Sequence, residues 1–153
     1  MKNDGYNKVF KISRIALGIN YGGILMIKAY LAGLPSLYEG EDIEVRYCIY
    51  EDQKLVTKKS VLLEYRKPAI VGQVALITLL KGLKNYAEKE IVIIINDAAL
   101  YEFIKGSSTT KNKDVLEIEN ETRKVLSKFN HYTLQDVSRD KVERMNWSEI
   151  LQP

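Results

Sequence analysis

The sequence predicts a mixed α/β fold in which helices flank a sheet of five strands. The first half of the chain carries three strand-like segments separated by turns, and the second half alternates helical periodicity with short β-branched runs. Three antiparallel strands followed by alternating helices and strands are expected to form one mixed sheet with helices on its faces. The length of 153 residues is enough for one hydrophobic core without disulfides or metals.

Three strands are predicted in the first half of the chain. Ile24–Leu31 is apolar enough to be buried on both faces, and the turn residues from 33 to 36 end it. Apolar and polar side chains alternate over Ile43–Tyr50, which is the period of a half-buried strand. The polar turn from 51 to 54 leads into a returning strand over Leu55–Tyr65. This order favours a meander of three neighbouring antiparallel strands.

Helices and two further strands are predicted in the second half. Apolar side chains recur every three or four residues from Val71 to Tyr86, which predicts a helix. The β-branched run Ile91–Ile95 predicts a central strand that is covered on both faces. The remaining elements follow from the same two periods. They are a short helix around Leu100–Ile104 capped by Gly106, a helix over Val115–Phe129, a strand over Tyr132–Val137 and a terminal helix over Lys141–Leu151.

Two regions are distinguished along the chain. Residues 1–22 are predicted to be an N-terminal extension, with apolar side chains such as Phe10 and Ile15 on loosely helical spacing, and residues 23–153 are predicted to be a single domain. Asn20 and nearby glycines interrupt the apolar run, which argues against an export signal. No stretch reaches the roughly 18 apolar residues of a membrane helix, so no membrane partner is expected.

Composition and charge are those of an ordinary globular chain. Apolar residues make up 46% and charged residues 28%, the net charge is +3, and the sequence pI is about 8.8. This mildly basic balance permits contact with nucleic acid but does not by itself argue for it. The single cysteine, Cys48, cannot form an internal disulfide, which fits a reducing cytosol. A cytoplasmic location is therefore expected.

Four short motifs follow one another at the ends of the predicted elements. Tyr30-Leu31-Ala32-Gly33 lies at the end of the first strand, Gln73–Leu79 lies in the first helix, and Ile94–Ala98 ends the fourth strand. Ser138–Lys141 with Met145-Asn146 follows the last strand. In this order, the motifs resemble segments of the ribonuclease H-like superfamily. The resemblance covers most of the chain and implies the mixed five-stranded sheet of that fold, with helices flanking it.

The resemblance also implies where a catalytic site would lie. Active members of the superfamily hold two Mg²⁺ ions with four carboxylates, because hard divalent ions prefer anionic oxygen ligands. The corresponding positions here are Ala32, Ala75, Asp97 and Asn146, so only Asp97 keeps a carboxylate. A site that lacks three carboxylates is not expected to hold two ions. The resemblance therefore implies a pseudoenzyme, although sequence alone leaves open whether the chain is an enzyme.

The acidic residues and the lone histidine have more than one possible role. Asp97 lies between a predicted strand and a predicted helix, where Asp is a favoured N-cap, and it would be a metal ligand only in an active enzyme. His131 has no cysteine or second histidine near it, so a zinc site is not expected. Other acids lie after the first strand or near the last one and could rebuild a metal site beside Asp97. These are Glu39, Glu41, Asp42, Asp136, Asp140 and Glu143.

Three functions are compatible with the sequence. The first is a catalytically inactive domain that binds protein or nucleic acid (RNA, DNA or an RNA–DNA hybrid), with Lys105, Lys111 and Lys113 as candidate phosphate contacts. The second is a nuclease with a rearranged acidic site, which would require Mg²⁺ or Mn²⁺; otherwise no cofactor is expected. The third is a structural or self-associating protein, for which ten tyrosines, Trp147 and the N-terminal extension supply interface material.

Overall fold

The computed structural model describes residues 26–106 and 111–153, which form one mixed sheet with four helices. The strands are β1 (Met26–Leu34), β2 (Ile43–Glu51), β3 (Lys54–Leu63), β4 (Glu90–Ile95) and β5 (His131–Asp136). The helices are α1 (Pro68–Gly82), α2 (Ala98–Lys105), α3 (Lys113–Leu126) and α4 (Lys141–Ile150), and a 3₁₀ turn covers Lys84–Tyr86.

The strands lie in the order β3-β2-β1-β4-β5. β1 pairs antiparallel with β2, and β2 pairs antiparallel with β3, whereas β4 runs parallel to both β1 and β5. The register places Leu31 of β1 beside Ile95 of β4. The carboxyl ends of these two central strands therefore meet at one edge of the sheet, which is the usual place for a site in an open α/β sheet.

The main core lies between one face of the sheet and α1. Ala75 and Leu79 of α1 pack against the strands, while Ile70 and Ile77 pack with Ile118 of α3 in a second apolar cluster. α1 is covered on both sides by the sheet and by α3, and for that reason it is apolar almost all round. This explains why the sequence of α1 lacks a polar face.

α4 covers part of the opposite face of the sheet. Trp147, Ile150 and Leu151 pack in an apolar cluster with Ala32 of β1 and Cys48 of β2. The Sγ of Cys48 lies 3.5 Å from the main-chain carbonyl oxygen of Ile150. α4 thus leads from the end of β5 across β1 to β2, and this path brings a C-terminal side chain to the edge where β1 and β4 end.

The predicted α/β fold and its order of elements are confirmed. Several element boundaries differ from the predictions by a few residues. The helix α1, for example, begins at Pro68 rather than at about Val71 and ends at Gly82 rather than at Tyr86. The extended backbone of Lys67 forms the N-cap, and proline suits the first turn because its missing N–H would have no partner in the helix. The predictions for residues 1–22 lie outside the described residues. None of the described helices is long and apolar enough to span a membrane.

Candidate functional site at the carboxyl ends of β1 and β4

A small cavity of about 50 Å³ lies where β1 and β4 end. Three of the four positions singled out in the sequence line it, namely Ala32, Ala75 and Asp97. The first comes from β1, the second from α1 and the third from the turn between β4 and α2. The fold therefore brings together residues that are far apart in the sequence.

Asp97 acts as the N-cap of α2. Its Oδ1 accepts a hydrogen bond of 2.9 Å from the main-chain N–H of Leu100, and its own N–H donates to Asp136 Oδ1 at 3.1 Å. A Cβ atom at Gly72 would lie 2.7 Å from Asp97 Oδ2, so glycine is needed for α1 to approach this carboxylate. The predicted capping role of Asp97 is confirmed, and one of its two oxygens is already engaged in it.

The two alanines of the cavity lie in close packing. Ala75 is 1% exposed and Ala32 is 7% exposed. A Cβ atom at Gly33 would lie 2.9 Å from the Cβ of Ala75, which shows how closely β1 and α1 approach each other here. Neither alanine side chain offers an oxygen ligand.

Trp147 supplies the α4 side of the cavity, whereas Asn146 does not line it and is exposed. The indole Nε1 of Trp147 donates a hydrogen bond of 3.0 Å to the carbonyl oxygen of Leu31. The sequence indicated Trp147 as a candidate interface residue and not as a residue of the site. One signal in the sequence could have identified it, namely its position directly after Asn146. A large aromatic side chain on a short helix tends to face the apolar interior, and an exposed amide next to it then faces solvent.

The other acids do not assemble around Asp97 as metal ligands. Asp136 accepts hydrogen bonds from the N–H of Asp97 and from both the N–H and the hydroxyl of Ser138. Asp140 caps α4 by accepting from the N–H of Glu143. In the part of the chain that the structure describes, no group of three His, Cys, Asp or Glu side chains could hold a metal ion. The remaining acids, Glu39, Glu41, Asp42 and Glu143, are exposed.

The donor set at the cavity does not fit a pair of divalent metal ions. Asp97 alone provides a carboxylate there, and two such ions need several anionic oxygen ligands held in close geometry. Trp147 adds an apolar ring and an N–H donor, neither of which binds a cation as a ligand would.

The three candidate phosphate contacts lie near one another in the chain around the α2–α3 connection. Lys105 is the last residue of α2, and its Nζ lies 5.5 Å from the centre of the Tyr101 ring. Lys111 precedes α3 and Lys113 begins it, and all three lysines are exposed. The predicted polar loop at residues 107–110 lies outside the described residues.

A salt bridge of 3.5 Å between Lys67 and Asp114 joins the N-terminal ends of α1 and α3.

No protein-family model and no curated protein matches this sequence. Solved structures do match. RNase H1 from the halophilic archaeon Halobacterium salinarum is 18% identical with a TM-score of 0.67, over 78% of this chain and 90% of that one. The N-terminal RNase H domain of a Mycobacterium tuberculosis protein is 12% identical with a TM-score of 0.66, over 82% and 95%.

A third structure, LC11-RNase H1 in complex with an RNA/DNA hybrid, is 12% identical with a TM-score of 0.60, over 78% of this chain and 89% of that one. This chain has a ribonuclease H-like fold. At these identities the likeness concerns the fold alone. The ribonuclease H-like fold confirms the architecture that the four sequence motifs implied, and it agrees with the observed sheet of three antiparallel strands followed by two parallel ones.

Proposed function

We propose that this chain is a ribonuclease H-like domain that binds nucleic acid without cleaving it. The observation that carries the proposal is the cavity at the ends of β1 and β4. Ala32 and Ala75 line it where the resemblance implies carboxylates, Asp97 is engaged in capping α2, and Trp147 closes the α4 side. A two-metal mechanism needs anionic ligands that this cavity lacks.

Support for nucleic acid as the ligand comes from the fold and from a group of exposed lysines. A protein of similar fold, LC11-RNase H1, has been solved with an RNA/DNA hybrid. Lys105, Lys111 and Lys113 lie on either side of residues 107–110 in the sequence and are exposed, so their ammonium groups can approach phosphates. An RNA–DNA hybrid is therefore the first ligand to test.

Binding is tested by fluorescence anisotropy with a labelled RNA–DNA hybrid. Three phosphate contacts predict that affinity falls about 40-fold between about 50 mM and 200 mM salt, because each contact releases counterions. Replacing Lys105, Lys111 and Lys113 by glutamine should weaken binding and flatten this salt dependence. The control carries glutamine at three exposed lysines near the C-terminal ends of α1 and α3: Lys81, Lys84 and Lys128.

Cleavage is tested on the same hybrid with Mg²⁺ and with Mn²⁺. We expect the hybrid to stay intact at protein concentrations that saturate it. Cleavage that disappears in Asp97→Asn would contradict the proposal and support the nuclease with a rearranged site. No binding of the hybrid even at low salt would remove the nucleic-acid function, and would leave a protein-binding or structural role.

A further inference from the structure

β3 is an edge strand of the sheet in the part of the chain that the structure describes. Within the described ranges, 26–106 and 111–153, it pairs only with β2. An edge strand directs every second pair of N–H and C=O groups away from its neighbour, where another extended segment can bind them. Ten residues, Lys54–Leu63, make up this strand, and most of its side chains are exposed.

The charge of β3 has one sign. Its charged residues are Lys54, Lys58 and Lys59, and no acid occurs within the strand. The register places Lys58 opposite Cys48 and Lys59 opposite Tyr47, so no acid faces either of them across the sheet. None of the three lysines forms a salt bridge with a described residue. Lys54 lies opposite Glu51 in the same register, but no described acid lies opposite Lys58 or Lys59, so these two lysines present positive charge along the middle of the edge.

Exposed apolar side chains lie on β3 together with these lysines. Leu62 is 67% exposed and Leu55 is 47% exposed, one near each end of the strand. A groove of about 330 Å³ also lies between β3 and the C-terminal end of α4, and Lys58, Ser60 and Leu151 are among its lining residues. A segment that pairs with β3 can place alternate side chains into this groove, because side chains of a strand alternate between its two faces.

We infer that β3 binds an extended acidic segment of a partner protein by strand addition. Main-chain hydrogen bonds along the edge would provide affinity, and Lys58 and Lys59 would select acidic side chains on the two faces of the added strand. A second copy of this chain is a poor occupant, because pairing β3 with β3 places two strands of the same positive charge side by side. Lysines on an edge strand also oppose unspecific pairing, which agrees with selection by charge.

The probe is a labelled peptide of alternating valine and glutamate, used at low salt in fluorescence anisotropy. We expect it to bind, and a peptide of the same charge with prolines in place of two valines to bind at least about tenfold more weakly, because proline removes the main-chain donors. Lys58→Glu with Lys59→Glu should weaken binding by a similar factor. The control variant, Lys81→Glu with Lys84→Glu, carries the same charge change on exposed residues outside β3 and should bind normally.

Three results would overturn this inference. The first is equal binding of the two peptides, which would mean attraction by charge alone, and the second is no binding of either. The third is binding of a labelled oligothymidylate through Lys58 and Lys59 in place of the peptide. Circular dichroism verifies that both variants are folded. The result is separate from the proposed nucleic-acid function, because hybrid binding through Lys105, Lys111 and Lys113 should be unaffected by Lys58→Glu with Lys59→Glu.

Discussion

The indole nitrogen of Trp147 donates a hydrogen bond of 3.0 Å to the main-chain carbonyl oxygen of Leu31. This bond joins α4 to β1 one residue before Ala32, at the edge where the candidate site lies. α4 is held further along by the contact between the Cys48 thiol and the Ile150 carbonyl oxygen, at 3.5 Å. A single helix thus closes the site and covers part of the sheet.

Removing the Trp147 hydrogen bond should reduce stability. Trp147→Phe is expected to lower the free energy of unfolding by about 1 kcal/mol, because the Leu31 carbonyl oxygen loses the indole donor. Trp147→Ala should lower it by about 3 kcal/mol, since the half-buried ring is lost as well. Urea unfolding measures both values. Met145→Ala, on the same helix and 60% exposed, should change stability by less than about 0.5 kcal/mol. A Trp147→Phe variant as stable as the parent would contradict this account.

Capping and catalysis make different predictions for Asp97. As a cap, Asp97→Ala should cost about 1 kcal/mol of stability, whereas Asp97→Asn should cost only a few tenths, because asparagine also accepts from the N–H of Leu100. Thermal or urea unfolding of the two variants tests this. Equal destabilisation by both substitutions would show that the negative charge matters more than the cap.

Much of the fold could be predicted because local patterns and tertiary packing agree. The alternation over Ile43–Tyr50 is that of a strand with unequal faces, and the β-branched run Ile91–Ile95 lies in a central parallel strand. The short helix between Asp97 and Gly106 was bounded by two cap residues, and Gly106 has the left-handed φ of +80° that favours glycine there. These elements carry their own start and stop signals.

The candidate site was harder to predict because it depends on how distant elements cross. Ala32, Ala75 and Asp97 could be grouped by resemblance, and the structure brings them to one cavity. Which α4 residue faces that cavity depends on the rotation of the helix over the sheet, and no periodicity in a ten-residue helix fixes that angle. For this reason Trp147, rather than Asn146, proved to be the inward residue.

Introducing carboxylates at the candidate site should create a metal site only when the cavity is also enlarged. The variant with Ala32→Asp, Ala75→Glu and Asn146→Asp is expected to bind no Mn²⁺ in calorimetry, because Trp147 occupies the α4 side. Adding Trp147→Ala should produce a measurable Mn²⁺ site, since several carboxylates can then approach one ion. Equal Mn²⁺ affinity of the two variants would show that Trp147 is no obstacle.

Stability should depend on pH through Glu44. Hydrogen bonds from Arg46, at 2.7 Å, and from Ser60 hold the pKa of Glu44 below its ordinary value of 4.5. A lowered pKa favours the folded state when the carboxylate is ionised, so this contribution is complete above about pH 4.5 and is lost as pH falls through the folded pKa.

The Glu44→Gln variant isolates that contribution. At pH 7 it should be less stable than the parent by about 0.5 kcal/mol, because the pair is partly exposed and solvent screens its attraction. The difference should shrink as the pH is lowered below 4.5. Urea unfolding across that pH range measures it, with Glu39→Gln in an exposed loop as the control. A difference that grows on acidification would refute the assigned sign.

Gln73 is a buried polar side chain whose replacement should stabilise the protein. It lies in α1, is 7% exposed, and its amide makes no hydrogen bond with any residue in the described ranges. Gln73→Met keeps a similar shape and removes the uncompensated amide, so unfolding should require about 1 kcal/mol more. Thr122 is the matched control, because it is 0% exposed but donates to the Ile118 carbonyl oxygen at 2.7 Å. Thr122→Val should therefore bring no gain in the free energy of unfolding. A Gln73→Met variant that is less stable than the parent would show that the Gln73 amide has a partner, such as an internal water.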